Sequence, residues 1–112
     1  MKSTSRDDHA AHAQPANVNF VRAGTTDAGA VTAFLLAQDV RPAPRVADIG
    51  ALLGRSDAAL FFAVCNGQII GAAGCLSEDS VCRLIHFVVD AEYDAVLASP
   101  LIELVERVAR ER

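Results

Sequence analysis

Three cysteines are the candidate nucleophiles of this sequence, because no Ser-His-Asp order is present. They are Cys65, Cys75 and Cys82. Each lies in an apolar, strand-like run, where cysteine behaves as a small buried hydrophobic residue, and no motif places a basic group beside it. If the turn between the last two is centred on Glu78–Asp79, Cys75 and Cys82 are directly opposed across two strands. A redox switch is then the alternative to simple core packing.

Three histidines are the residues that can carry a proton at neutral pH, since the unperturbed imidazole titrates near 6.5. His9 and His12 are three residues apart, but two ligands without a third do not make a metal site, so no metal is predicted. We interpret residues 1–17 as a disordered tail. His86 interrupts the apolar run Val81–Val89, and the alternative to a functional role is a hydrogen-bonded position in the core.

Composition limits the kind of protein that this chain can be. Its 112 residues allow one domain, expected over residues 18–112, and 52% hydrophobic residues exclude disorder of the whole. The net charge is −4 and aromatic residues make up 5%, which excludes a basic or base-stacking surface for nucleic acid. No apolar run is long enough to span a membrane, and the N-terminus lacks the apolar core of a secretory signal. An odd number of cysteines without an export signal predicts a cytoplasmic protein.

The elements that position these residues follow the order β-α-α-β-β-β-α. Asn66-Gly67 predicts a tight hairpin, and Gly71 and Gly74 predict a bulge or a close backbone approach in the strand that follows. Apolar residues on both faces predict that Val81–Val89 is a central strand. The predicted elements are strand Val18–Arg22, a helix from Thr25 to about Gln38, a short helix capped by Asp48 and ending at Gly54, strands Leu60–Cys65, Gln68–Leu76 and Val81–Val89, and a helix that begins at Ser99 and Pro100.

These elements resemble the N-terminal two-thirds of the GNAT N-acetyltransferase fold over residues 18–112. The segments that carry the resemblance are VNFVRAGTTDAGAVTAFLLAQ (opening strand and helix), DIGALLGRSDAALFFAVCNGQIIGAAGCL (second helix and hairpin), LIHFVVDAEY (the strand before the acetyl-CoA loop) and LIELVERVARER (the helix behind that loop). The resemblance implies an α/β (α+β) fold with an antiparallel meander that lacks the C-terminal elements of the family.

The resemblance also implies acetyl-CoA as co-substrate. By position in the family, its binding residues are Val88, Val89, Tyr93 and Ser99. The family loop follows the pattern Arg/Gln-x-x-Gly-x-Gly/Ala, whose backbone N–H groups bind the diphosphate at a helix N-terminus. Here Asp94 replaces the Arg or Gln, no glycine occurs between Asp90 and Arg112, and Pro100 lacks an N–H. An acid at this place repels a diphosphate, which favours a purely structural role for the segment.

Two functions follow from the resemblance. The first is acetyl-CoA-dependent N-acetylation of a small amine or amino acid, with His86 as base on the strand where the family often carries a Glu. The alternative is a non-catalytic, degenerate module that acts through self-association or protein binding, and a third is a remnant that folds poorly alone. An exposed strand edge and uncovered apolar surface on Val81–Val89 predict a homodimer.

Overall fold

An antiparallel four-stranded sheet forms the centre of the computed structural model, which describes residues 17–111. Its strands are β1 (Val18–Arg22), β2 (Ala58–Cys65), β3 (Gln68–Glu78) and β4 (Val81–Val89), and they pair in sequence order. The predicted order of strands and helices is confirmed. Except for Asn17, the predicted tail lies outside the described residues, as does the pair of histidines in it.

Helices cover both faces of this sheet. Helices α1 (Ala28–Ala37) and α2 (Val46–Leu53) pack on one face, and α3 (Asp94–Arg110) packs on the other. Because successive strand residues point to opposite faces, β2 alternates between the two cores. Leu60 and Phe62 face α1 and α2, whereas the residues between and around them face α3. Cover on both sides explains why β2 is apolar almost throughout.

The first helical segment confirms its sequence signals. A 3-10 turn, Thr25–Asp27, precedes α1, and the Asp27 carboxylate accepts a hydrogen bond from the Gly24 N–H at 2.8 Å. The predicted apolar stripe is buried, and it consists of Val31, Phe34 and Leu35. The prediction for the second helix is wrong in one detail. Arg45 is the N-cap residue of α2, and Asp48 lies in the first turn, where its carboxylate accepts from Arg45 Nε at 3.0 Å.

The hairpin between β2 and β3 is the predicted one, with positive φ at both Asn66 and Gly67. The turn between β3 and β4 is centred on Asp79 and Ser80, the residues with positive φ, and so one residue later than the centre at Glu78–Asp79 on which the opposition of Cys75 and Cys82 depended. One residue in the turn shifts the pairing by two, so Ser77 lies opposite Cys82.

The condition for the opposition of Cys75 and Cys82 is therefore not met, and the two residues are not opposed. Cys75 lies opposite Leu84, and neither cysteine forms a disulfide among the described residues. Each of the two packs against the core on the α3 side, Cys75 fully buried and Cys82 partly. This placement favours core packing over a redox switch.

Two further predictions are corrected by the structure. Within residues 17–111, β4 is one of the two edge strands and not a central one. Helix α3 begins at Asp94 and not at Ser99, because Asp90 supplies an earlier start: its carboxylate accepts from the Glu92 N–H at 3.0 Å and its carbonyl from the Tyr93 N–H at 2.8 Å. Within the part of the chain that the structure describes, no helix has the length and apolar character needed to cross a bilayer.

Candidate functional site

A β-bulge interrupts the pairing of β3 with β4. Ala72 lies opposite Val88 and Gly74 opposite Ile85, so Ala73 faces two residues, His86 and Phe87. The backbone of His86 has φ +50°, in the left-handed region that residues other than glycine seldom occupy. Bulges of this kind occur next to active sites, where they redirect side chains, and strained residues cluster there too.

A cleft of about 560 Å³ opens beside this bulge. Its walls are residues 86–88 of β4, the inner side of α2 with Asp48, Ile49 and Leu52, and residues 40–44 of the connector between α1 and α2. The volume is within the range of sites that bind small molecules. His86 and Val88, two of the residues singled out from the sequence, are thus brought to one cavity.

His86 is half-buried in this wall, and burial lowers its pKa below the ordinary value of 6.5. No charged neighbour contributes to the shift, so desolvation of the cationic form is its cause. A lowered pKa keeps the imidazole neutral at pH 7. A neutral imidazole has a free ring nitrogen that accepts a proton.

Two of the residues that line the cavity, Arg41 and Asp48, each form an ion pair with a residue outside the lining. Arg41 Nη2 lies 2.8 Å from Asp39 Oδ1, and Arg45 Nε lies 3.0 Å from Asp48 Oδ2. All four side chains are exposed, so the pairs contribute little to stability. Each of these charges is matched by one of opposite sign. The two pairs therefore add no net charge to the site of a ligand.

The N-terminus of α3 has the wrong chemistry for a diphosphate. Asp90, Glu92 and Asp94 crowd this end, and one of them already accepts a backbone N–H of the turn. The sequence holds no Lys or Arg between Arg83 and Arg107 and no glycine after Asp90. A diphosphate here would meet carboxylates in place of exposed N–H groups. The diphosphate end of acetyl-CoA therefore does not fit the residues present.

The remaining residues singled out from the sequence lie away from the cavity, on the α3 side of the sheet. Val89 pairs with Gly71 and packs into the core beneath α3. Tyr93 packs there as well. Its pKa is raised above the ordinary value of 10, mainly by the electrostatic interaction with Cys65 and to a smaller extent by burial. Ser99 is exposed in the second turn of α3, beyond the first turn, whose N–H groups have no partner within the helix.

Phe87 and the connector are the parts of the site that the sequence did not reveal. Phe87 read as one more apolar residue of β4, since nothing in the residue types indicates a bulge there. The connector held a weak signal: Pro42 and Pro44 predicted a stiff segment, and a stiff segment can form a cavity wall. Within residues 17–111, no three His, Cys, Asp or Glu side chains are grouped to hold a metal ion.

Comparison with known proteins gives the architecture a name. No family model matches the chain, and no curated protein matches its sequence. Solved structures do match. A predicted acetyltransferase from Clostridium acetobutylicum, solved with acetyl-CoA, superposes with a TM-score of 0.69 at 15% identity, over 85% of this chain and 75% of its own. The chain has the fold of the GNAT acetyltransferases.

Other acetyltransferases share this GNAT fold. A ribosomal-protein-alanine N-acetyltransferase from Brucella melitensis matches with a TM-score of 0.66 at 19% identity, covering 85% of this chain and 73% of its own. An aminoglycoside 6′-N-acetyltransferase from Acinetobacter baumannii matches with a TM-score of 0.68 at 16% identity, covering 84% and 72%. The names of these proteins give different acceptors, so the structural similarity identifies the fold but not the substrate.

Proposed function

We propose that this chain transfers an acetyl group from acetyl-CoA to a small amine, with His86 as the base. One observation carries the proposal: a half-buried histidine, kept neutral by burial, lines a cavity beside a β-bulge in a GNAT fold. An amine attacks only in its uncharged form and must lose a proton as the amide forms. A neutral imidazole at this place accepts that proton.

The reaction balances with the groups named. Acetyl-CoA supplies a thioester whose carbonyl carbon accepts the amine nitrogen; a C–N bond forms, the C–S bond breaks, and CoA leaves as a thiolate. His86 accepts the proton that the nitrogen gives up, and that proton is later available to the thiolate or to water. Contributions of this kind to rate are typically about 10²–10⁴-fold.

The two ends of the donor fit this chain differently. Within residues 17–111 the outer edge of β4 has no strand partner, and an arm that contains amide groups can hydrogen-bond to such an edge as a strand would. The acids at the start of α3 oppose the diphosphate. We therefore expect affinity for acetyl-CoA to come from the thioester and its amide arm.

Titration calorimetry with acetyl-CoA, with CoA alone as comparison, is the first test. An assay of CoA thiol release then compares His86→Gln with Arg83→Gln, an exposed substitution on the same strand. We expect the His86 variant to lose about 100-fold or more in kcat while the Arg83 variant stays near the parent. Absence of heat at millimolar acetyl-CoA from a folded sample would rule out the acetyltransferase.

A second candidate is a non-catalytic module that works by self-association. The observation that favours it is the acidic start of α3 together with exposed apolar side chains on the β4 edge strand, Val81, Leu84 and Phe87. We propose that a second copy pairs along Val81–Ile85, up to the bulge, and so forms a homodimer. Three cysteines without a disulfide among the described residues support a reducing, cytoplasmic compartment for either function.

Analytical ultracentrifugation tests the dimer. We expect the parent chain to sediment as a dimer and Leu84→Lys, at the exposed edge, to sediment as a monomer. A monomeric parent would contradict self-association. A dimer that binds no acetyl-CoA would favour the non-catalytic module over the enzyme.

A further inference from the structure

We infer that Asn66 is a modification site at which the folded protein spontaneously loses the side-chain amide as ammonia and gains a carboxylate. This site takes no part in the proposed acetyl transfer. Asn66 and Gly67 form the two-residue turn between β2 and β3, and both are exposed. Asparagine is one of the chemically labile residues of proteins, and its side-chain carbon lies within reach of the next backbone nitrogen.

Neither reacting group is held in place by another part of residues 17–111. The Gly67 N–H donates no backbone hydrogen bond within those residues, and the Asn66 carboxamide has no hydrogen-bond partner among them. The Gly67 nitrogen is therefore open to solvent and can lose its proton to hydroxide. The carboxamide of Asn66 is free to rotate toward that nitrogen.

Gly67 also leaves the space that ring closure needs. A Cβ at this position would have nothing within 4 Å, and glycine carries no side chain to shield its nitrogen. The other two asparagines lack this opening. Asn19 lies in β1, paired with Val64, and both Asn17 and Asn19 are followed by residues with bulky side chains. Of the three asparagines in the sequence, only Asn66 precedes a glycine.

The reaction balances with water as the co-reactant. The Gly67 nitrogen gives its proton to solvent and attacks Cγ of Asn66. A C–N bond forms, the bond from Cγ to the side-chain nitrogen breaks, and ammonia leaves with a proton from solvent. Water then opens the cyclic imide, at Cγ to give aspartate or at the main-chain carbonyl to give isoaspartate. Nothing is oxidised or reduced, and asparagine and water become a carboxylate and ammonia.

The two products affect the hairpin differently. Aspartate before glycine also suits a tight turn with positive φ, so it keeps the pairing of Cys65 with Gln68. Isoaspartate adds a CH₂ group to the main chain of a turn whose length fixes that pairing. Cys65 packs in the core beneath α3 and pairs with Val18 of β1. We therefore expect the isoaspartyl form to be less stable than the aspartyl form.

Incubation of the full, folded chain at mildly alkaline pH, followed by tryptic digestion and mass spectrometry, is the test. Asn66 is the one asparagine of the peptide Ser56–Arg83, and the other two share the peptide Asp7–Arg22. We expect the first peptide to gain the mass difference between a carboxyl and a carboxamide, as two species that separate by chromatography. The second peptide should stay unchanged over the same period. The rate should rise with pH, because the attacking nitrogen must lose its proton.

Two variants give matched controls, once circular dichroism shows that they fold. Gly67→Asn keeps a residue that tolerates positive φ but puts a side chain beside the attacking nitrogen, so the mass gain at residue 66 should slow. Asn66→Asp provides the aspartyl reference and should gain no mass. Equal gains in both peptides, an unchanged rate in Gly67→Asn, or a gain in the urea-unfolded chain but not in the folded one would overturn the inference.

Discussion

Gly74 is the position where one added methyl group tests both the sheet and the site. It pairs with Leu60 of β2 and with Ile85 of β4, the residue just before the bulge. A Cβ at Gly74 would lie 3.0 Å from the Ala59 carbonyl oxygen and 3.3 Å from Ile85 Cγ1. The first contact is with backbone inside the sheet, which cannot move without disturbing the pairing of β2 with β3. We therefore expect Gly74→Ala to destabilise the fold and to displace His86.

The magnitude follows from two opposing effects. Overpacking a well-packed interior costs about 1–3 kcal/mol, and replacing glycine by alanine recovers about 0.4–1 kcal/mol by restricting the unfolded chain. Taking the middle of each range, the net loss in the free energy of unfolding is about 1.3 kcal/mol, with an upper bound of about 2.6 kcal/mol. For a domain of this size that lowers Tm by about 4–8 °C for each kcal/mol.

Two other glycines provide matched controls. At Gly71 the nearest atom to an added Cβ is Leu101 Cδ1 at 3.1 Å, the end of a side chain that can adjust, so the loss is smaller. At Gly29, exposed in α1, nothing lies within 4 Å, and alanine should stabilise by about 0.5–1 kcal/mol. Urea unfolding followed by circular dichroism ranks the three. A Gly74→Ala protein as stable as Gly71→Ala would refute the reasoning.

Three further predictions concern the site and its support. Burial lowers the pKa of His86, so as the pH falls the histidine of the unfolded chain binds a proton before that of the folded chain does. The free energy of unfolding should therefore fall as the pH drops below 6.5. Urea unfolding should show that His86→Gln removes this dependence. Asp94→Asn should raise the affinity for CoA in calorimetry by removing a repelling charge, and lower Tm because the acid complements the helix dipole. Leu101→Ala, at a fully buried position on the sheet-facing side of α3, should cost about 2–5 kcal/mol in urea unfolding, far more than Leu36→Ala, which is half exposed on α1.

The sequence was a good guide wherever local chemistry decides the structure. Asn66-Gly67 specifies a hairpin because both residues tolerate positive φ, and the hairpin in turn fixes the register of β2 against β3. The stripe of Val31, Phe34 and Leu35 predicted which side of α1 is buried. Prediction from the sequence failed where two local signals compete. Asp90 and Ser99 can each start α3, and the earlier one prevails because the turn after β4 is hydrogen-bonded to it.

The site depended on information that the residue types do not carry. His86 was identified as a proton carrier, but its position in a bulge follows from the register of β3 with β4. That register depends on Asp79 and Ser80, neither of which is glycine, adopting positive φ in the turn. The cavity adds a wall from the α1–α2 connector, which lies more than forty residues earlier in the chain.

The bulge is required by the pattern of β4 once the sheet is known. Cys82 packs against the core beneath α3, and Arg83 is exposed, paired with Glu78 at 2.9 Å. Val89 also packs against this core. Because side chains alternate along a strand, removing the extra residue while Val89 stayed in place would exchange the orientations of Cys82 and Arg83. The arginine side chain would then point into the core. Burying an unpaired guanidinium costs far more than one strained φ. The same extra residue that keeps Arg83 in solvent therefore brings His86 and Phe87 together on the cavity wall.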